Sequence, residues 1–214
     1  MISLDGQPPE PGYFLPAAPG SPSLVVIHEY WGLNEHIKDV ARRLSREGFN
    51  VFAIDLYGGK VATDEAAATE FMTHLDWKVA VPLVGQVLSS LEQRDPKTKT
   101  AVLGFCMGGA LAFACAAAFP TLSACVPFYG IGPRFDATQI KAQILGHFAL
   151  NDEWCSPPRV DALQQQLKDA KVPFEFHRYD AQHAFFNDTR KVYSPESAKL
   201  AWERTVQFLH RVLG

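Results

Sequence analysis

Short, continuous apolar runs alternate with stretches of helical period along nearly the whole chain. Leu24–His28, Asn50–Ile54, Thr100–Leu103, Ala124–Tyr129, Ala142–Phe148 and Phe174–Tyr179 read as strands, most of them apolar enough to be buried on both faces. Between them, Ile37, Val40, Ala41 and Leu44 repeat at helical spacing after a capping Asn34 and before the stop at Gly48. Further helices are expected over about Asp64–His74 (polar, alanine-bearing), Trp77–Glu92, the Ala-rich run Ala110–Ala118, a short turn near Asp136–Ile140, a capped helix over Pro158–Ala170 and an amphipathic one over Pro195–Val212. The Pro/Gly-rich segment 1–23 offers two short edge strands, Ile2–Leu4 and Tyr13–Leu15, as a hairpin. Strand–helix alternation without repeats predicts an α/β fold: a mostly parallel central sheet with helices on both faces, built as one domain over residues 1–214.

Composition narrows the functions open to such a fold. A 214-residue chain that is 47% hydrophobic can bury one substantial core, and a net charge of −3 with interspersed signs predicts no nucleic-acid or anionic-membrane partner. Asp5 and Glu10 lie among prolines where a leader would carry basic and then apolar residues, and no apolar run approaches the roughly 18 residues of a membrane span. A cytoplasmic protein is expected, monomeric or at most weakly dimeric. Cys106, Cys115, Cys125 and Cys155 lack metal-ligand spacing, and a core this large needs no disulfide staples, so neither a metal nor an organic cofactor is expected.

The chemistry concentrates at Gly104-Phe105-Cys106-Met107-Gly108-Gly109, between a strand and an Ala-rich helix. Small residues two before and two after a central nucleophile are what a strained strand–turn–helix elbow requires, and the first amides of the following helix would face the thiol. Competing phosphate-loop readings fail. Cys106 occupies the second glycine of a dinucleotide fingerprint, and Gly58-Gly59-Lys60 is followed by Val61 in place of a metal-binding hydroxyl. Cys106, Asp152 and His183 follow three different strands in the order nucleophile, acid, histidine. That order is the one α/β-hydrolases use, with His183 as base and Asp152 as its orienting partner. Glu153 is the near rival for the acid, and a backbone-bonded loop histidine is the bland alternative for His183. Of the other histidines, His36, His74 and His210 fall on helix faces expected to be solvated, His177 points outward from a strand, and His147 packs within one; Cys115 and Cys125 read as core fillers and Cys155 as a loop thiol near the acid.

The segments His28-Glu29-Tyr30-Trp31-Gly32-Leu33-Asn34, Asp55-Leu56-Tyr57, Gly104–Gly109, Phe128-Tyr129-Gly130, Asp152 and His183-Ala184-Phe185 together resemble the dienelactone hydrolase (carboxymethylenebutenolidase) family. The resemblance implies the α/β-hydrolase fold and a Cys106–Asp152–His183 triad. It adds Glu29 as a fourth participant to which the resting thiol bonds, and an oxyanion hole made by the Tyr30 and Met107 amides. A carboxylate at a strand's end between Tyr30 and Trp31 is chemically suited to take the thiol's proton. Trp31, Tyr57, Arg134, Phe186 and Arg190 are candidate substrate contacts. Family members acting on dienelactone grip its carboxylate with arginines, yet Asp64–Met72 contains no Arg or Lys, leaving Lys60, Arg134 or Arg190 as replacements. The expected substrate is a small lactone or activated ester opened through an acyl-cysteine. A general carboxylesterase or thioesterase, and a silent ligand-binding or thiol-sensing protein, are the alternatives.

Overall fold

The computed structural model describes residues 12–132 and 135–214. Seven strands form one sheet in the order β1-β3-β2-β4-β5-β6-β7. They are β1 (Gly12–Leu15), β2 (Ser23–Ile27), β3 (Asn50–Ile54), β4 (Thr100–Phe105), β5 (Ala124–Phe128), β6 (Gln143–Asn151) and β7 (Phe174–Gln182). All neighbours are parallel except the edge pair β1–β3, which is antiparallel. Tyr13–Leu15 therefore pairs with β3; Ile2–Leu4 lies outside the described residues.

Alternate residues of each buried strand face opposite layers. Leu24 and Val26 of β2 join Val40 and Leu44 of α1 (Glu35–Arg46) and Phe208 and Val212 of α6 (Pro195–Leu213) in one apolar cluster. Val25 and Ile27 join a second cluster with Val84 and Leu88 of α3 (Trp77–Arg94), Phe113 of α4 (Met107–Ala118) and Leu163 of α5 (Pro157–Asp169). This two-sided burial is why these strands lack a polar face. Asn34 and Asp64 cap α1 and α2 (Glu65–His74) through side-chain oxygens accepting from Ile37 and Ala67 amides. The expected side-chain cap on α5 is absent: Ser156 makes no such bond, and Pro157 opens the helix instead. The short helix near Asp136 is a single 3-10 turn, Ala137–Gln139. None of the described helices is long and apolar enough to cross a membrane.

Two departures from the apolar pattern matter for the site. β6 and β7 run past their apolar stretches and stay paired, Ala149 opposite Tyr179 and Asn151 opposite Gln182 across an irregularity. Backbone pairing continues where side-chain burial stops, so Asp152 and His183 are each the first residue beyond two adjacent strand ends. The chain also reverses direction across the sheet between β2 and β4, which opens a crevice beyond their carboxyl ends. Glu29 follows β2 and Cys106 follows β4, on the two walls of that crevice.

Candidate active site

Cys106 caps α4 with φ 52° and ψ −115°, a conformation that L-residues rarely hold. The backbone closes so tightly around it that a Cβ on Gly104 would lie 2.0 Å from the Gly108 carbonyl oxygen, and one on Gly108 would lie 2.3 Å from that of Ile27. The Cys106 amide is anchored to the Phe128 carbonyl at 2.9 Å. Its thiol is 7% exposed and borders two cavities. Burial, then the charge of Glu29, pushes the thiol well above its ordinary pKa, while a hydrogen bond from the Met107 amide pulls the other way. Burial and the neighbouring charge thus both favour the thiol over the thiolate.

The Asp152 carboxylate accepts from His183 Nδ1 at 2.7 Å and from the Trp154 and Cys155 amides at 2.8 Å each. Burial alone would favour its protonated form, but the His183 hydrogen bond and charge, with both amides, outweigh that and hold the carboxyl below its usual range. Glu153 is exposed, so the loop turns Asp152 alone of the two acids inward. His183 Nε2 is buried and without a hydrogen-bond partner. Its ring lies 5.0 Å from Trp154 and 5.1 Å from Tyr129, which fix its plane.

Glu29, 2% exposed, accepts from Tyr129 Oη at 3.2 Å and Asn187 Nδ2 at 2.5 Å. No thiol–Glu29 hydrogen bond is among those of the described residues; Glu29 meets the sulfur as a neighbouring charge. The loop it starts is set by His28, whose Nδ1 donates to the Glu29 carbonyl at 2.5 Å while Nε2 accepts from the Leu56 amide at 3.1 Å. Among the described residues the Tyr30 amide donates to no protein oxygen, and the Met107 amide is engaged by the Cys106 sulfur.

The candidate substrate contacts divide. Trp31 and Arg190 reach the site together, the guanidinium 3.4 Å over the indole in a cavity of about 470 Å³ shared with Glu29, Tyr30, Glu65 and Lys191. Phe186 does not: it is 3% exposed and packed on Phe105, Phe128 and Trp202, because the turn after His183 sends it into the core. Tyr57 has its hydroxyl on Met107 Sδ at 3.2 Å and borders neither cavity that Cys106 opens onto. Arg134 lies outside the described residues. His36, expected on a solvated face, is buried with Nδ1 on Asp188 at 2.9 Å, because the 184–193 segment folds back over the start of α1. His177 is half-buried, stacked at 6.0 Å on His147, whose two nitrogens meet Tyr179 and Thr205 as a core histidine's should.

Asn187, Trp154 and Cys155 are site residues that sequence reading passed over or left bland. Only the position of Trp154 and Cys155, two and three beyond the acid, signalled them. Asp152, Cys155 and His183 bring possible ligand atoms within 4.8 Å of one another. A metal there would have to break the Asp152–His183 bond and strip a proton from a thiol that burial pushes up to about 12.

The sequence model described as the dienelactone hydrolase family matches residues 12–213. A protein named usf from Aquifex pyrophilus is 36% identical over 217 residues, covering 94% of this chain and 93% of that one. A Saccharolobus solfataricus protein, provisionally named carboxymethylenebutenolidase, is 34% identical and covers 92% of each chain. Among solved structures, a dienelactone hydrolase-like promiscuous phosphotriesterase from metagenomic libraries superposes with a TM-score of 0.81 at 25% identity, covering 92% of this chain and 89% of the other.

Proposed function

Because this chain belongs to the dienelactone hydrolase family of α/β-hydrolases, we propose that it opens a small lactone or activated ester through an acyl-cysteine intermediate on Cys106. One observation carries the reading: a strained, cavity-facing thiol shares both of its cavities with a histidine whose Nδ1 is committed to Asp152 and whose Nε2 has no partner. With Nδ1–H donated to the carboxylate, Nε2 is the basic nitrogen.

In the proposed cycle Glu29 takes the thiol proton, which cancels the charge that opposes the thiolate, and the proton passes on to His183 Nε2. The thiolate attacks the carbonyl carbon, and the resulting oxyanion is met by the Tyr30 and Met107 amides. His183 returns the proton to the departing alkoxide or enolate as the C–O bond breaks, leaving a thioester. Water, deprotonated at the same nitrogen, then releases the acid and regenerates the thiol. Asp152 keeps the imidazole in one tautomer and stabilises its charged form throughout. Arg190 is the cation placed to meet a substrate carboxylate on the polar side, balanced there by Glu65. The protonated resting thiol argues against an electrophile-trapping role, which needs a standing thiolate.

The test is a p-nitrophenyl ester reaction followed by intact-mass analysis. A rapid acyl adduct confined to Cys106, with adduct and turnover both lost in Cys106→Ala, is expected; wild-type turnover in Cys106→Ala overturns the proposal.

A further inference from the structure

Cys106 opens onto a second cavity of a different character. It measures about 350 Å³, near the lower end of the roughly 300–1,000 Å³ of small-molecule sites. Its walls are Met72, Trp77, Ala110, Ile131 and Trp154, with Tyr129 behind. Among the described residues one cationic side chain lines it, Arg159, which donates to the Trp154 carbonyl oxygen, and burial pushes the Cys155 thiol there up to about 12. Cys106, His183 and Trp154 line this cavity and also the polar one that holds Glu29, Glu65, Arg190 and Lys191, so the reacting groups form the divide between an apolar and a charged chamber.

Resting on the acyl-cysteine reading above, we infer that the apolar chamber is an acyl pocket, which makes the preferred substrates open-chain esters of apolar acids, of about hexanoyl or phenylacetyl size, with the polar side of the molecule in the leaving group. The two halves of the reaction decide which arm goes where. The leaving group must depart and water must take its place beside His183 Nε2 before the thioester is cleaved. The chamber lined by Glu65, Arg190 and Lys191 admits water readily, whereas the one lined by Met72, Trp77 and Ile131 does not. An acyl group in the apolar chamber stays anchored through both steps while the charged chamber empties and refills. The reverse arrangement would put a charged or hydrated acid against the apolar side chains of Met72, Trp77 and Ile131, at a cost in desolvation.

The experiment uses p-nitrophenyl acetate, butyrate and hexanoate with the wild-type enzyme, beside an alcohol series of ethyl, butyl and hexyl acetates. Burial of each added methylene predicts a rise in kcat/KM of roughly threefold to fourfold, on the order of a hundredfold from acetate to hexanoate. The alcohol series should stay flat. Two variants alter the chamber: Ala110→Leu fills it, and Met72→Glu, at a partly exposed position on α2, charges it. Each should lower the hexanoate-to-acetate ratio at least tenfold, a ratio that a general loss of folded enzyme leaves unchanged. A flat acyl series, a rise in the alcohol series instead, or an unchanged ratio in both variants overturns the acyl-pocket assignment while an acyl adduct on Cys106 still stands. Absence of any adduct from all three aryl esters overturns the acyl-cysteine reading, and this inference with it.

Discussion

His28 makes the stability of the site's first loop a function of pH in a way the structure quantifies. Its Nδ1 donates to the Glu29 carbonyl and its Nε2 accepts from the Leu56 amide, so only the neutral ring satisfies both partners. Protonation would turn Nε2 from acceptor to donor against an N–H. Complete burial, opposed in part by the Glu29 carbonyl and the charge of Asp55, lowers its pKa from 6.5 to about 4. A histidine with a depressed folded pKa leaves the native state short of a proton that the unfolded chain binds, so stability falls as pH falls. The contribution is fully present above the unfolded value and is lost between about pH 6.5 and 4. From those two values the loss is about 2 kcal/mol at pH 5 and about 3 kcal/mol at pH 4. His147, whose pKa burial also lowers, and Asp152 act in the same direction, so the comparison must isolate His28. Urea unfolding of wild type and His28→Gln at pH 7 and pH 5 does so. The wild type should lose about 2 kcal/mol more than the variant over that interval. Parallel losses, within roughly 0.5 kcal/mol, would mean that His28 accepts a proton in the native state and does not hold the loop as a neutral acceptor.

Glu29→Gln should leave thermal unfolding near wild type, since the amide oxygen still accepts from Asn187 or Tyr129, yet slow acylation on the order of a hundredfold; stopped-flow turnover at the wild-type rate would remove Glu29 from the chemistry. Gly104→Ala sets a Cβ 2.0 Å from the Gly108 carbonyl oxygen, so melting should show a loss of about 4 kcal/mol or more, or no soluble protein. A soluble variant with an unshifted Tm would refute the closed elbow. Because burial and Glu29 raise the Cys106 thiol, its alkylation by iodoacetamide, read by peptide mass spectrometry, should climb about tenfold per pH unit from pH 7 to 9; a plateau near neutrality would reveal a resting thiolate.

Much of this molecule is written locally. The buried strands are continuous apolar runs because both sheet faces are covered, and the elbow needs glycine at 104 because its own following turn, at the Gly108 carbonyl, crowds that position. The chain order Cys106, Asp152, His183 likewise follows from which strands end where. Other features arise only when distant segments meet. Strands β6 and β7 outrun their apolar pattern because backbone pairing does not need buried side chains, and that extra length brings Asp152 within 2.7 Å of His183. Phe186 and His36 were placed by a return of the 184–193 segment over α1 that no periodicity encodes. The two chambers draw Met72, Trp77, Ile131 and Trp154 to one wall and Arg190 and Glu65 to the other from five separate stretches of chain. Local sequence thus determined the strained turn at Cys106 and the hydrolase family, because strain and periodicity act over a few residues. What lines the two chambers was decided by tertiary packing, because a cavity is the space that remote segments leave between them.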